Sequence, residues 1–322
     1  MRKRWLLLPL ALVVVLLGTS GCQREPEAAS VTVAMGFIPN VQFAPVYVAI
    51  EKGFFAEAGL ELTLDYGMET DLLQRLGAGD VNYAIASGDQ VAMARANGLP
   101  VRYVANWYRR FPVCVVSMAA AGIDSPDDLA GKTVGVPVMA GASYIGWLAF
   151  AEEVSLNASA VDLQAIGYTQ AASLTEGRVD AAVCYAVNEP VQLRTAGEQI
   201  NVFYLDEYTA LVSNGLITSD KVIEQEPEQV RAMVGAFIEG LEYTIAHPDE
   251  AFEIVRKVIP EMDDDTAILQ RAVLDECIRF WQADQLGYND PAAWQESVTL
   301  MQHLGLLGEV APEDLYSNEF LP

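Results

Sequence analysis

Histidine is nearly missing from this chain: its 322 residues include two, His247 and His303. Four cysteines, at 22, 114, 184 and 277, contain no Cys-x-x-Cys spacing. These scarcities exclude a zinc knuckle and a dithiol redox motif, and they leave little with which to build a histidine-based catalytic centre. Basic residues are also few, 19 Lys and Arg against 44 Asp and Glu, for a formal net charge of −25. A nucleic-acid partner requires a basic footprint on the phosphate backbone, which this chain cannot assemble. Gly-x-Ser-x-Gly, P-loop and HExxH patterns do not occur, so nothing positions an activated nucleophile or a phosphate cradle. Neither a metal site nor a cofactor is expected.

Apolar residues are abundant. At 52% hydrophobic, 20% charged and 9% aromatic, the chain can bury a large core, and its length suits two domains. Met1-Arg2-Lys3-Arg4 is a basic start, Trp5 to Leu17 an almost unbroken apolar run, and Gly18 to Cys22 a cluster of small residues ending in a thiol. That order reads as a signal peptide over residues 1–21. As a helix the apolar run would span roughly 20 Å, short of a hydrocarbon core of about 30 Å, which disfavours a permanent span. Ser20-Gly21-Cys22 resembles a bacterial lipoprotein cleavage site, with Thr19 in place of the usual leucine; an ordinary secretory cleavage is the alternative. The expectation is a lipid anchor at Cys22, a tether over residues 22–30, and a cell-membrane location on the extracytoplasmic face. Loss of residues 1–21 leaves 16 basic against 44 acidic residues, so attraction to anionic headgroups would not hold the protein at a membrane.

From Val31 onward, short β-branched runs alternate with helical patterns, as in Val31 to Met35, Phe43 to Ala58, Leu60 to Tyr66, Asp71 to Gly77, Asn82 to Ala86, Asp89 to Asn97 and Val101 to Trp107. This alternation predicts an α/β fold with a largely parallel sheet. Val113 to Met118 is a further strand, and Ser125-Pro126-Asp127-Asp128 has the chemistry of a capped helix start. A second set runs from Thr133 to Leu205, and Leu211 to Thr218 looks like a strand returning from it. Beyond Ser219 helices dominate: Pro227 to Ala246 carries apolar residues at helical spacing, followed by Asp249 to Ile259, Asp263 to Trp281 and Asp290 to Leu304. The expected layout is lobe 1 from residues 31–118 plus 213–322 and lobe 2 from residues 119–212.

The stretch Met35-Gly36-Phe37-Ile38-Pro39-Asn40-Val41-Gln42-Phe43-Ala44-Pro45, with Glu51-Lys52-Gly53-Phe54-Phe55 after it, resembles the opening of the periplasmic solute-binding proteins of ABC importers. The branch is the one containing sulfonate, taurine and thiamin-pyrimidine binders. Ser125 to Gly135 and Gly177 to Ala182 are similar to later motifs of that family, and together they cover most of Val31 to Asp220. The resemblance implies a bilobal type II periplasmic-binding-protein fold with two crossovers and a helical C-terminal tail. It further implies a monomer that closes on a small molecule and delivers it to a membrane permease. Pyrimidine binders of the branch carry a tryptophan, an asparagine and a histidine where Phe37, Gln42 and Phe43 stand here, and related pyrimidine-forming enzymes carry a cysteine cluster that is missing. Both departures point away from pyrimidine and from catalysis, toward the riboflavin-binding members; a pyrimidine or a sulfonate is the alternative ligand.

Ligands of such folds sit between lobes, at strand ends and helix N-termini. Phe37 and Phe43 could sandwich a flat ring or simply cap the core, while Asn40 and Gln42 could meet an imide edge or hydroxyls. Ser87 could bind a polar group or cap a helix. Trp107 is a stacking platform or lobe-interface packing, and Tyr144, after the small residues Ala140 to Ser143, is the second-lobe aromatic. Tyr185, Asn188 and Glu189 open a helix behind a strand, where a carboxylate could accept from hydroxyls or an imide N–H, or merely complement the helix dipole. Arg109 and Arg110 suit an anion or, in so acidic a chain, surface pairing.

Overall fold

A computed structural model describes residues 28–322. The signal peptide, Cys22 and most of the tether lie outside the described residues. The first α/β set is β1 (Ala29–Gly36), α1 (Ala44–Glu51), α2 (Phe54–Glu57), β2 (Leu60–Gly67), α3 (Glu69–Ala78), β3 (Tyr83–Ser87), α4 (Gly88–Ala96) and β4 (Val101–Asn106). The second is β5 (Val113–Met118), β6 (Thr133–Val136), α5 (Gly141–Glu153), β7 (Asp162–Ala165), α6 (Gln170–Thr175), β8 (Ala181–Tyr185), α7 (Glu189–Thr195) and β9 (Ile200–Tyr204). Then come β10 (Asn214–Ser219) and the helices α8 (Asp220–Gln225), α9 (Pro227–Ala246), α10 (Pro248–Val258), α11 (Asp264–Trp281) and α12 (Pro291–His303).

Two five-stranded sheets result, ordered β2-β1-β3-β10-β4 and β7-β6-β8-β5-β9. Each is parallel except for one strand, β10 in the first and β5 in the second, which runs antiparallel beside its neighbours. The expected boundary at residue 118 therefore needs correction. Val113–Met118 belongs to the second sheet, because Pro112 already accepts the Ala186 N–H and the register runs on from there. The chain crosses between sheets at residues 107–112 and again at residues 205–213. Leu211 and Val212, read as strand, are part of that second crossing.

Alternation along β1 explains the layering. Val31, Val33 and Met35 pack with α1 and α9, while Ala34 faces the side covered by α3 and α4. The helix expected over residues 43–58 is broken at Gly53, whose φ of +83° ends α1 and starts α2. Asp128 accepts from both the backbone N–H and the hydroxyl of Ser125, but only one 3-10 turn, Pro126–Leu129, follows before Gly131 turns away. The tail belongs mainly to the first lobe. It also fixes the crossing, since the Arg109 and Arg110 N–H groups donate to Phe280 O at the end of α11 (2.9 and 3.3 Å). His303 bonds Glu152 Oε1 at 2.9 Å, tying α12 to α5, and the His247 ring lies 4.4 Å from that of Tyr243; both histidines are structural. Cys114, Cys184 and Cys277 are buried free thiols, Cys114 opposite Cys184 across β5 and β8.

Helix α9 presses closely on α1 at Gly240, where an added Cβ would stand 2.4 Å from Pro45 O. At Gly235 of the same helix nothing lies within 4 Å. Gly240→Ala should therefore destabilise by about 1–3 kcal/mol through overpacking. Gly235→Ala should stabilise by about 0.5–1 kcal/mol through helix propensity. Urea unfolding of the two variants checks the opposite signs.

Candidate ligand-binding site

The carboxyl ends of β1, β3, β4 and β8 converge with the N-termini of α5, α6 and α7 around a cavity of about 370 Å³ between the lobes. That is the position and size expected of a small-molecule site. Phe37, Asn40, Gln42, Phe43, Trp107, Tyr185, Asn188 and Glu189 all line it.

Ser87 and Tyr144 do not. Ser87 is fully buried with its hydroxyl bonded to the Asp89 carboxylate, and it makes no helix-cap bond. The junction offers Gln90 to the cavity instead. In α5 the first turn presents Gly141, Ala142 and Ser143 to the cavity, and about 100° of rotation per residue carries Tyr144 round to pack, partly buried, against the hydrophobic core. The exposed second-lobe aromatic is Tyr168, whose ring centroid lies 6.0 Å from that of Phe37 across the cleft. Tyr168 also follows a strand, β7, so the strand-end rule that selected the other candidates reaches it. Nothing in the sequence marks Asn214 or Gln170, which also line the cavity.

Several expected ligand groups are occupied by the protein itself. Asn40 Oδ1 accepts from Gln42 N (2.8 Å) while its Nδ2 donates to Ile38 O (2.9 Å), capping the turn Val41–Phe43. Gln42 Nε2 donates to Asn188 Oδ1 across the cleft (3.0 Å), and Gln42 Oε1 accepts from Tyr108 Oη (3.3 Å). Tyr185 Oη donates to Asn214 Oδ1 (3.2 Å), a second bridge between lobes. Phe43 is buried within an aromatic group, its ring centroid 6.0 Å from those of Tyr66 and Trp107, and Trp107 continues to Tyr108, Phe237 and Trp281. Phe37 has a φ of 148°, a backbone state that costs a non-glycine residue about 1–3 kcal/mol and that clusters at binding sites.

The cavity is poor in charge. Among its lining residues there is no Lys, Arg or His, and Glu189 is the only carboxylate. Arg110 pairs instead with Asp206 (2.5 Å) and covers the Phe280 ring, and Arg109 reaches Asp290 at 4.0 Å, both at the crossings. Burial pushes the Glu189 carboxyl up to about 7, although the N–H groups of Glu189 and Tyr185 favour its charged form, the latter at 3.0 Å from Oε2. Among the described residues no group of three or more His, Cys, Asp or Glu could hold a metal, and no helix is long and apolar enough to cross a membrane.

A carboxyl raised on folding contributes stability that is complete below its unfolded value and lost as pH rises toward 7, a loss on the order of 3 kcal/mol. Glu189→Gln removes that dependence. In the ligand-free protein the variant's melting midpoint should gain on wild type between pH 5 and pH 8; parallel curves would show that Glu189 titrates normally.

Residues 40–251 match the family model described as NMT1/THI5 like. The chain is 40% identical over 309 residues to a protein named riboflavin-binding protein RibY from Chloroflexus aurantiacus, covering 92% of this chain and 88% of that one. It is 29% identical to the formylaminopyrimidine-binding protein of Halalkalibacterium halodurans, covering 96% and 97%. In structure it resembles the periplasmic aliphatic sulphonate binding protein SsuA from Escherichia coli, with a TM-score of 0.74 at 12% identity over 92% of this chain and 94% of that one. The fold is that of the bilobal periplasmic binding proteins, and by the extent of these matches the chain belongs to the NMT1/THI5-like family.

Proposed function

We propose that this chain is the extracytoplasmic solute-binding protein of an ABC importer, and that it captures riboflavin and hands it to the permease. The observation that carries the ligand is the cavity wall: aromatic rings from both lobes, side-chain amides and one carboxylate, with no cation. A flat, uncharged heteroaromatic ring with a polyhydroxyl chain matches that wall, whereas a sulfonate would enter a site without a single basic side chain. The 40% identity to RibY supports the same reading. The wall holds no nucleophile set against a general base, which favours capture over catalysis.

Binding works by closure. Lobe 1 supplies Phe37, Phe43 and Trp107, and lobe 2 brings Tyr168, Tyr185 and Glu189. The direct bridges Gln42 to Asn188 and Tyr185 to Asn214 exist only while the lobes are together. A ligand favours that state by the contacts it makes with both lobes at once. The protein acts as a monomer, held at the cell membrane by a lipid on Cys22 after removal of residues 1–21.

Residues 23–322 from riboflavin-replete cells should show a flavin absorption spectrum, and stripped protein should quench flavin fluorescence with one-to-one saturation. A colourless protein that binds formylaminopyrimidine instead would replace this ligand. Phe43→Ala should weaken flavin binding more than tenfold through lost stacking. A ligand hydroxyl or N–H donating to Glu189 favours the ionised carboxylate, so affinity should rise from pH 6 to pH 8 and level off above; Glu189→Gln should flatten that profile. Cys22→Ala should release the protein from the membrane fraction.

A further inference from the structure

The amides that first suggest themselves as partners for a ligand's N–H are already spent. Both polar atoms of Asn40 are used in its own loop, and both of Gln42 are bonded to Asn188 and Tyr108. Asn214 Oδ1 accepts from Tyr185; Gln170 Oε1 has no partner among the described residues but is sealed from solvent, out of a ligand's reach. Gln90 is different. It is 5% exposed and lines the cavity from lobe 1, in the first turn of α4.

The neighbours of Gln90 set which end of its amide faces inward. Its Nε2 donates to Asp89 Oδ2 at 2.8 Å and approaches Met93 Sδ at 3.9 Å, both acceptors. Asp89 is fully buried, its carboxyl bonded by Gln90, Ser87 and its own backbone N–H, with Oδ1 unpartnered. Burial pushes the Asp89 carboxyl up, but its Oδ2 is the acceptor of the Gln90 bond, and that bond holds the NH₂ end of Gln90 toward Asp89. Gln90 Oε1, the remaining polar atom, has no donor among the described residues and is not among the sealed atoms. Gln90 lines the cavity, which is the open space its amide borders.

We infer that Gln90 is a specificity-determining residue that accepts the imide N–H of the ligand's ring, and that Asp89 is the positioning residue that fixes its amide. The inference rests on the riboflavin reading and deepens it. An oxidised isoalloxazine carries one N–H, on its imide, so the ring enters with that edge against lobe 1. Glu189 is then left for the ribityl hydroxyls. The same arrangement rejects a ring whose imide nitrogen is alkylated, because the alkyl group both clashes with Oε1 and leaves it unpaired in a dry site.

The test compares riboflavin with 3-methylriboflavin by fluorescence titration in wild type, Gln90→Met, Asp89→Asn and Glu189→Gln. Wild type should prefer riboflavin at least tenfold. Gln90→Met, close in size, should lose riboflavin affinity about tenfold and bring the preference to within twofold. Asp89→Asn, whose own amide offers both a donor and an acceptor, should leave Gln90 free to turn and so lower the preference, an effect that general destabilisation would not produce. Equal wild-type affinity for the two flavins overturns the inference, as does a preference that survives Gln90→Met or collapses only in Glu189→Gln. Riboflavin that fails to bind wild type overturns the functional reading itself, and the inference with it.

Discussion

One side-chain amide spans the gap on which the site depends. Gln42, on the loop after β1, donates to Asn188 at the head of α7 and accepts from Tyr108 on the first crossing. It thus joins lobe 1, lobe 2 and the connection between them. Together with the Tyr185 to Asn214 bond, that bridge holds the walls at the spacing that encloses the cavity. A single neutral hydrogen bond contributes only about 0.5–1.5 kcal/mol net, so the bridge sets geometry and leaves the balance between open and closed within reach of a ligand.

The architecture was largely legible because it is written in local patterns. β-Branched runs, helical spacing and the strand-end positions of Phe37, Trp107 and Tyr185 follow from periodicity, and most of them reach the cavity. The misreadings have two physical sources. Tyr144 and Ser87 are at the right strand-to-helix junctions but point elsewhere, because one residue of helical rotation or one neighbouring carboxylate decides direction. Gln42 and Asn40 are in the right place but bonded to the protein, and hydrogen-bond partners 146 residues apart leave no trace in a sequence. The lobe boundary failed for a similar reason: β5 looks like any strand, and its sheet is chosen by long-range pairing with β8 and β9.

The aromatic residues work on two scales. Phe37 and Tyr168 meet across the cleft, partly exposed. Phe43, Trp107, Tyr108 and Trp281 form a buried group between the crossing and α11, so the tail stiffens the base of the cleft. The same residue type is therefore exposed surface at the rim and buried packing at the root. The difference lies in the neighbours, α9 and α11, that the C-terminal half of the chain provides.

The insertion of β10 between β3 and β4 gives the two lobes different histories. Lobe 2 is one uninterrupted stretch, complete once β9 has formed, whereas the sheet of lobe 1 has a gap at its centre until residues 214–219 arrive. As the chain emerges from its N-terminus, lobe 2 can close its own sheet while β3 and β4 still lack the strand that joins them. The half of the molecule that begins first is thus the half that finishes last.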